Sequence, residues 1–285
     1  MKQSFWLNVA LLLAVAAVGL VVYLQPSGDA PVEHAVSTLS PATANSVRIE
    51  RPGRAAIVLQ RQKGAWFLVD PIAARADEFM VQRLLAIVQA RTVHRFPAQA
   101  LARFDLDRPH ARLIVDEQRF EFGLVNELSR EQYVLTGDAV YALSTRYGLA
   151  LPARAEALAS RRLFAPGESP VRIAPPGFTV TETQGRWVLD PAPHDPRGDE
   201  VARWADEWRF ATALRIAPGQ SGEPQEAVRL ELSNGTNLNL GILSRKPELV
   251  LLRADQRLQY HFAEEAGQRL LSPPGTARKE RAEKN

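Results

Sequence analysis

Two long stretches of this 285-residue chain follow the same order of motifs, and this internal repeat constrains the fold more than any other feature. Residues 64–68 (GAWFL) are matched by residues 185–189 (GRWVL), and Asp70-Pro71 is matched 120 positions later by Asp190-Pro191. The same offset places one set of helically spaced residues opposite another: Val81, Leu84, Leu85 and Val88 against Val201, Trp204, Ala205 and Trp208. Several matches at a nearly constant offset predict two related units.

Each copy is predicted to contain strands, one amphipathic helix and an antiparallel meander. The i, i+3, i+4, i+7 spacing in both copies is typical of a helix that buries one face. Residues 229–232 and 237–240 alternate polar and apolar around Asn234-Gly235, which is a strong hairpin signal. Further strands are predicted at residues 113–115, 119–122, 133–135, 140–143, 249–252 and 258–262.

Runs of strands around a single helix favour an α+β fold with mainly antiparallel sheets over a parallel βαβ fold. Residues 153–164 (ARAEALASRRLF) are predicted to be helical and to lead into a junction that contains proline and glycine. The predicted organisation is a cytoplasmic tip and transmembrane anchor at 1–24, a flexible stalk at 25–46, a first repeat unit at 47–164, a junction at 165–170, a second repeat unit at 171–271, and a disordered charged tail at 272–285.

The N-terminal residues 5–24 form an uncharged run in which Asn8 is the only strongly polar side chain. At about 1.5 Å per residue, a helix of this length spans about 30 Å, the thickness of the hydrocarbon core of a bilayer. Lys2 precedes the run and residues 25–47 carry no Lys or Arg, so the positive-inside rule predicts a cytoplasmic N-terminus and an exported remainder. A cleaved signal peptide stays open as an alternative, although its apolar region is usually only about 7–15 residues long.

No catalytic, cofactor-binding or metal site is predicted, and no cofactor is expected. The chain has no cysteine, which excludes disulfides, thiolate metal sites and a cysteine nucleophile. It also has no nucleophile-elbow, P-loop or dinucleotide-binding motif. Its five histidines show no HxxxH or HExxH spacing: His34, His94, His110, His194 and His261.

Asp70 and Asp190 are the carboxylates that most resemble a catalytic pair. If both faced one cleft, they could divide acid and base roles. The simpler interpretation, which we favour, is that each Asp-Pro ends a strand and begins a turn.

Tryptophans and arginines offer two further candidates for binding. Trp66, Trp187, Trp204 and Trp208 could form an aromatic shelf, but core packing is favoured because Trp204 and Trp208 align with apolar residues of the first copy. The arginines are interleaved with acids, which favours a solvated helix face. Contact of Arg161 and Arg162 with anionic lipid or an acidic partner stays open. The other arginines considered are Arg91, Arg95, Arg209 and Arg215.

The order of these elements resembles a known family. The apolar run with Asn8 is followed by a Gly64-x-Trp66 strand, then Asp70-Pro71, a helix after Asp77, and residues 104–109 (FDLDRP) before a hairpin. This order resembles the bacterial membrane-anchored family called domain of unknown function 4340, over most of residues 5–164 and more weakly in the second copy. The second copy has residues 218–222 (PGQSG) in place of 104–109, so a function tied to that element is not implied for both halves.

The resemblance implies a single-pass bacterial inner-membrane protein with a periplasmic α+β portion at residues 25–285 and no established activity. Some relatives resemble proteins whose genes lie beside those of ABC-type exporter components. This implies an accessory role in the envelope. We therefore expect a non-enzymatic protein that binds another envelope protein. The alternatives are a glycan- or lipid-binding module that uses exposed tryptophans, and a hydrolase that uses Asp70 and Asp190.

The net charge of +3 does not predict a nucleic-acid surface. Lys2 and the charged tail account for all of this charge, so residues 3–277 are balanced. Nucleic acid is therefore not an expected partner.

Overall fold

Antiparallel strands account for most of the regular secondary structure in the part of the chain that the structure describes. The structure is a computed structural model, and it describes Trp6 and residues 11–20, 32–191, 198–219, 224 and 226–274. The strands are β1 His34–Ala35, β2 Ser46–Glu50, β3 Ile57–Gln62, β4 Ala65–Asp70, β5 Ala74–Arg75, β6 Arg91–Thr92, β7 Arg95–Pro97, β8 Ala111–Val115, β9 Gln118–Asn126, β10 Glu131–Thr136, β11 Ala139–Ser144, β12 Pro170–Ala174, β13 Thr179–Thr183, β14 Arg186–Asp190, β15 Arg215–Pro218, β16 Glu226–Leu232, β17 Asn237–Ser244, β18 Glu248–Arg253 and β19 Leu258–Ala263. The α-helices are α1 Glu78–Leu85, α2 Arg146–Leu149, α3 Gly198–Arg209 and α4 Glu264–Leu271, and the 3-10 helices are Ala86–Gln89, Leu101–Phe104 and Ala155–Leu158.

Two large sheets and one small sheet hold these strands. The first large sheet has the order β5-β4-β3-β2-β8-β9-β10-β11-β7, the second has the order β14-β13-β12-β16-β17-β18-β19-β15, and β1 pairs with β6. Pairing within the described sheets is antiparallel, for example between β2 and β8 and between β12 and β16. The predicted α+β class with mainly antiparallel sheets is therefore confirmed. When β5 is left aside, the two large sheets have the same topology. The spatial order β4-β3-β2-β8-β9-β10-β11-β7 of the first corresponds, strand by strand along the chain, to β14-β13-β12-β16-β17-β18-β19-β15 of the second.

The two predicted amphipathic helices are present, and each buries the predicted face. Asp77 caps α1 by accepting hydrogen bonds from the backbone N–H groups of Phe79 and Met80. Val81, Leu84 and Leu85 of α1 are buried, and Val88 is buried in the 3-10 turn that continues it. The buried residues of α3 are Val201, Trp204, Ala205 and Trp208.

The predicted hairpins are also present, because their signals are local. Asn234-Gly235 joins β16 to β17, and Gly235 has the positive φ of 82° that such a turn needs. In the first half, β8 and β9 pair around the turn at Asp116 and Glu117. The strands predicted at residues 133–135, 140–143, 249–252 and 258–262 lie in β10, β11, β18 and β19.

The prediction of a flexible stalk is wrong for its described part, residues 32–46. β1 pairs with β6, and Val36 and Ala44 are buried against the first sheet. The Ser37 hydroxyl donates a hydrogen bond of 2.6 Å to Oε1 of Gln118. Single buried residues such as Val36 and Ala44, which follow no periodic pattern, attach this segment to the rest of the protein. Because no periodicity is present, the composition by itself predicts a loose linker. Residues 25–31 lie outside the described residues.

The prediction of a helix at residues 153–164 is also wrong, apart from the short 3-10 turn Ala155–Leu158. Ala159 forms a bridge with Ala76, and Arg162 forms a bridge with Thr212. The backbone N–H of Leu163 donates to the carbonyl of Ala211. The extended segment therefore satisfies its backbone with distant parts of the chain, and this tertiary pairing overrides the weak helical preference of its residues.

Helix α4, which the sequence did not predict, closes the core of the second half. The indole N–H groups of Trp204 and Trp208 donate hydrogen bonds of 2.9 Å to the carbonyls of Arg269 and Leu270, respectively. These carbonyls belong to the last turn of α4, where intrahelical donors run out. The two tryptophans thus fix the end of α4 as well as filling the core.

The chain ends are described only in part. Residues 11–20 are helical and exposed, and among the described residues no helix is both long enough and apolar enough to cross a membrane. Residues 5, 7–10 and 21–24 of the predicted anchor lie outside the described residues. The same holds for residues 275–285 of the tail that was predicted to be disordered.

Candidate functional site

A cavity of about 620 Å³ lies where the first large sheet, the connection between the two large sheets (residues 145–169) and the segment after α3 come together. Its walls are formed by residues 75–79 of β5 and α1, residues 160–169 of the connection, and residues 209–212, with Ala65 of β4. We call this cavity the junction cleft. It is built from residues far apart in sequence, so its shape depends on how the two halves meet.

One buried or half-buried arginine from each large sheet holds the connection beside the cleft. Arg75 of β5 donates hydrogen bonds of 2.8 Å to the carbonyls of Phe164 and Arg162. Arg253 of β18 donates to the carbonyl of Leu163 and forms two hydrogen bonds, of 3.0 and 3.1 Å, with the carboxylate of Glu168. These two side chains clamp the same short segment, and the Arg253–Glu168 pair has the two-pronged geometry of a strong ion pair.

The pKa values of these groups reflect the competition between burial and charge pairing. Burial alone would raise the pKa of Glu168, but hydrogen bonds from Arg253 and from the N–H of Ala165 lower it overall. Burial would likewise lower the pKa of Arg253, but the Glu168 carboxylate raises it overall. Burial lowers the pKa of Arg75, and this effect outweighs the electrostatic effect of Tyr260 and Glu168, which would raise it. Glu168 and Arg253 are therefore held as a charged pair.

Two large apolar side chains line the cleft and stay exposed to solvent. Phe79 is 70% exposed in the first turn of α1, and Phe210 is 69% exposed immediately after α3. Leu214, a few residues after Phe210, is 56% exposed. Exposed phenylalanines grouped around a cavity are typical of a surface that binds another molecule.

Three further arginines line the cleft without a carboxylate partner among the described residues: Arg161, Arg162 and Arg209. Arg161 donates to the carbonyl of Leu214 at 3.4 Å, and Arg209 donates to the Ser169 hydroxyl at 3.3 Å. Their positive charges are therefore not neutralised by ion pairs within the described chain.

The acids that line the cleft are already engaged. Asp77 caps α1, and Glu78 accepts a hydrogen bond of 3.0 Å from the backbone N–H of Trp66. Glu168 is paired with Arg253. The cleft therefore offers guanidinium groups to a ligand, whereas its carboxylates serve the protein's own structure.

A second cavity, of about 440 Å³, lies beside β2 and β8 and is lined by arginines that are all occupied. Arg51 and Arg54 donate to carbonyls at Leu151 and Ala153. The other two form ion pairs, Arg48 with Glu50 and Arg112 with Glu121. The arginines of this cavity therefore already have partners within the protein, which makes it a weaker candidate for a binding site.

Asp70 and Asp190 lie outside the junction cleft. Each is exposed at the last position of its strand, and each is followed by a cis peptide bond to proline. The interpretation that Asp-Pro ends a strand is confirmed. No group of three or more His, Asp or Glu side chains suited to a metal is found within the described ranges, from which His194 is missing.

The four tryptophans considered as an aromatic shelf belong to the core or pack against it, as favoured from sequence. Trp66, Trp204 and Trp208 are at most 5% exposed, and Trp187 is partly buried against the same core. An aromatic shelf built on Trp204 and Trp208 is therefore wrong.

The arginine prediction needs a correction. Arg161 and Arg162 lie on an extended segment and not on a helix face, and this segment brings them into the cleft beside Arg209. Arg95 and Arg215 pair elsewhere, with Asp138 and Glu248. Arg91 is exposed in β6 and does not line the cleft.

Phe79 and Phe210 were missed in the sequence, although a signal was present. Phe79 lies off the buried face of α1, which runs through Val81 and Leu84, and Phe210 follows the end of α3, off the spacing that runs through Trp204 and Trp208. A large apolar residue off the buried face of an amphipathic helix, or directly after its end, is the pattern that would have found them.

The fold and the cleft define an α+β protein with a recess where its two halves meet. The family model described as domain of unknown function (DUF4340) matches residues 66–237, which is more than half of the chain, so the chain belongs to this family. The matched region includes every segment that forms the cleft except Ala65. No curated protein and no solved structure matches the chain.

Proposed function

We propose that this chain is a non-enzymatic, membrane-anchored protein of the bacterial envelope that binds another protein in the junction cleft. The observation that carries this role is the exposure of Phe79 and Phe210 beside arginines that have no carboxylate partner in the described chain. Protein-binding sites are commonly built around exposed aromatic and arginine side chains.

We further propose that residues 5–24 anchor the chain in the inner membrane, with the N-terminus in the cytoplasm and residues 25–285 in the periplasm. The uncharged apolar run and the position of Lys2 support this orientation. An ABC-type exporter is the candidate partner, on the grounds of the resemblance stated for the sequence.

The two halves, 47–164 and 171–271, are proposed to be related units joined at residues 165–170. The repeated motifs and the shared strand pattern of the large sheets support a duplication. The cleft requires residues of both halves together with the connection, so a single unit would lack the proposed binding site.

The alternatives from sequence receive no support from the positions of their residues. A ligand shelf needs exposed rings at Trp187, Trp204 or Trp208, but Trp204 and Trp208 are buried, Trp187 is partly buried against the core, and none of the three lines the junction cleft. A hydrolase that uses Asp70 and Asp190 would need these residues in a shared cleft, and neither lines the junction cleft.

Site-specific photocrosslinking tests the proposed function. A photoreactive phenylalanine analogue is placed at position 210, and a matched one replaces Leu128, which is 98% exposed in the turn between β9 and β10. In native membranes we expect one discrete protein adduct from position 210, which is lost when Phe79→Asp is added. The absence of an adduct at position 210, or equal adducts at both positions, would contradict a partner in the cleft.

A further inference from the structure

We infer that the partner presents to the junction cleft an acidic segment that also carries an apolar side chain, and this inference rests on the function proposed above. The first reason is charge. Arg161, Arg162 and Arg209 have no carboxylate partner within the described ranges, and the acids around them are engaged by Arg253 or by backbone N–H groups. Like charges held together without counter-charges favour an anionic occupant.

The second reason is a donor that the protein leaves unused. Nε of Arg75 is buried and has no hydrogen-bond partner within the described chain, although both terminal nitrogens of the same guanidinium are bonded to carbonyls. Buried N–H groups are rarely left without an acceptor. Arg75 is also one of the residues that line the cleft, so its guanidinium adds positive charge to the wall.

The third reason is the apolar lining. Phe79 and Phe210 come from opposite halves and line the same cavity with about 70% and 69% of their surface exposed. An aliphatic or aromatic side chain of the partner would cover this surface, while neighbouring carboxylates meet the guanidinium groups. A peptide segment supplies both kinds of group along one chain.

The recessed shape distinguishes a peptide from a bilayer surface. The cavity of about 620 Å³ can admit side chains from a single extended chain, whereas a flat layer of lipid headgroups meets mainly a rim. The protein's own tail is an unsuitable occupant, because its four cations exceed its two acids: Arg278, Lys279, Arg281 and Lys284 against Glu280 and Glu283.

Peptide titration of the full-length chain in nanodiscs of zwitterionic lipid tests this inference. The probe is a short, fluorescently labelled synthetic peptide of Asp and Glu with one central Leu, and its control has Asn and Gln in place of the acids. We expect the acidic peptide to bind, the amide control to bind at least about tenfold more weakly, and affinity to fall as salt is raised.

Variants connect the binding to the cleft. The double change Arg161→Glu and Arg162→Glu is expected to weaken binding by about tenfold or more, and Phe210→Ser is expected to weaken it by a similar factor. The matched controls Arg119→Glu and Arg229→Glu change exposed arginines on strands outside the cleft, and they should leave the affinity unchanged. A thermal unfolding midpoint measured for each variant confirms that it is folded.

Four results would overturn the inference. Equal binding of the acidic and amide peptides would remove the charge argument. Full displacement of the acidic peptide by inorganic phosphate at equal charge would show that the cleft is a general anion site. Stronger binding of anionic phosphatidylglycerol vesicles than of the peptide would indicate that the cleft binds a membrane surface. If the peptide fails while position 210 still gives its protein adduct, the proposed function stands and only the acidic segment is wrong.

Discussion

Replacing Arg253 by leucine should lower the free energy of unfolding far more than replacing an exposed arginine. Arg253 has only 4% of its side chain exposed, and its loss removes two hydrogen bonds to Glu168 and one to the carbonyl of Leu163. It also removes the contact of Nε with the half-exposed carboxylate of Asp255. Removing one partner of a buried ion pair typically costs about 3–5 kcal/mol. Glu168 is 22% exposed and can be partly solvated after the change, which favours the lower end, about 3 kcal/mol.

Thermal unfolding followed by tryptophan fluorescence measures this loss, and a cost of about 3 kcal/mol corresponds to a fall in Tm of about 6–12 °C. The loss should also depend on pH. The pKa of Glu168 is lowered in the folded protein, so its charge contributes stability above the ordinary value of 4.5, and this contribution disappears as pH falls through the folded pKa. The difference in Tm between the Arg253→Leu variant and the unmodified protein should therefore become smaller at acidic pH.

Arg172→Leu is the matched control, because Arg172 pairs with Glu231 at a site where both side chains are about half exposed. That change should cost at most about 1 kcal/mol. Replacing both Arg253 and Glu168 by leucine should recover part of the loss, because the Glu168 carboxylate is then no longer left unpaired. Asp255, which also contacts Arg253, is about half exposed and can be solvated. Equal effects of Arg253→Leu and Arg172→Leu at neutral pH would refute the reasoning that a buried clamp holds the connection.

Three further changes test other parts of the structure. Trp208→Phe leaves the carbonyl of Leu270 without its indole donor and should lower the free energy of unfolding by about 1–3 kcal/mol; an unchanged urea midpoint would count against this contact. Phe210→Ser should change the free energy of unfolding by no more than about 0.5 kcal/mol, because the ring is exposed; a large loss in the same measurement would mean that Phe210 serves the fold. The full chain should resist alkaline extraction from membranes, and deletion of residues 5–24 should release it; extraction of both forms would argue against the anchor.

The parts of the fold that sequence predicted correctly depend on neighbours along the chain. Asp77 as a helix cap, the apolar spacing of α1 and the Asn234-Gly235 turn are all defined within a few residues. The burial of Trp204 and Trp208 was also predictable, because their alignment with Leu84 and Val88 identified the buried face. Local hydrogen bonds and periodicity are sufficient for such elements.

The junction cleft could not be predicted because distant segments create it. Residues 159–163 have the composition of a helix, but they adopt an extended form by pairing with Ala76 and residues 211–213. That pairing brings Arg161 and Arg162 beside Arg209 and places Phe79 near the same recess as Phe210. Neither the clamp by Arg75 and Arg253 nor the missing charge partners can be read from spacing along the sequence.

Quantitative co-purification from native membranes tests most directly whether the cleft binds a partner protein. The unmodified chain is compared with a double variant, Phe79→Asp and Phe210→Asp, and with the exposed control Leu128→Asp. We predict that a specific membrane or periplasmic protein is recovered with the unmodified chain and the control, and is lost from the double variant. Equal recovery with all three chains would contradict the account.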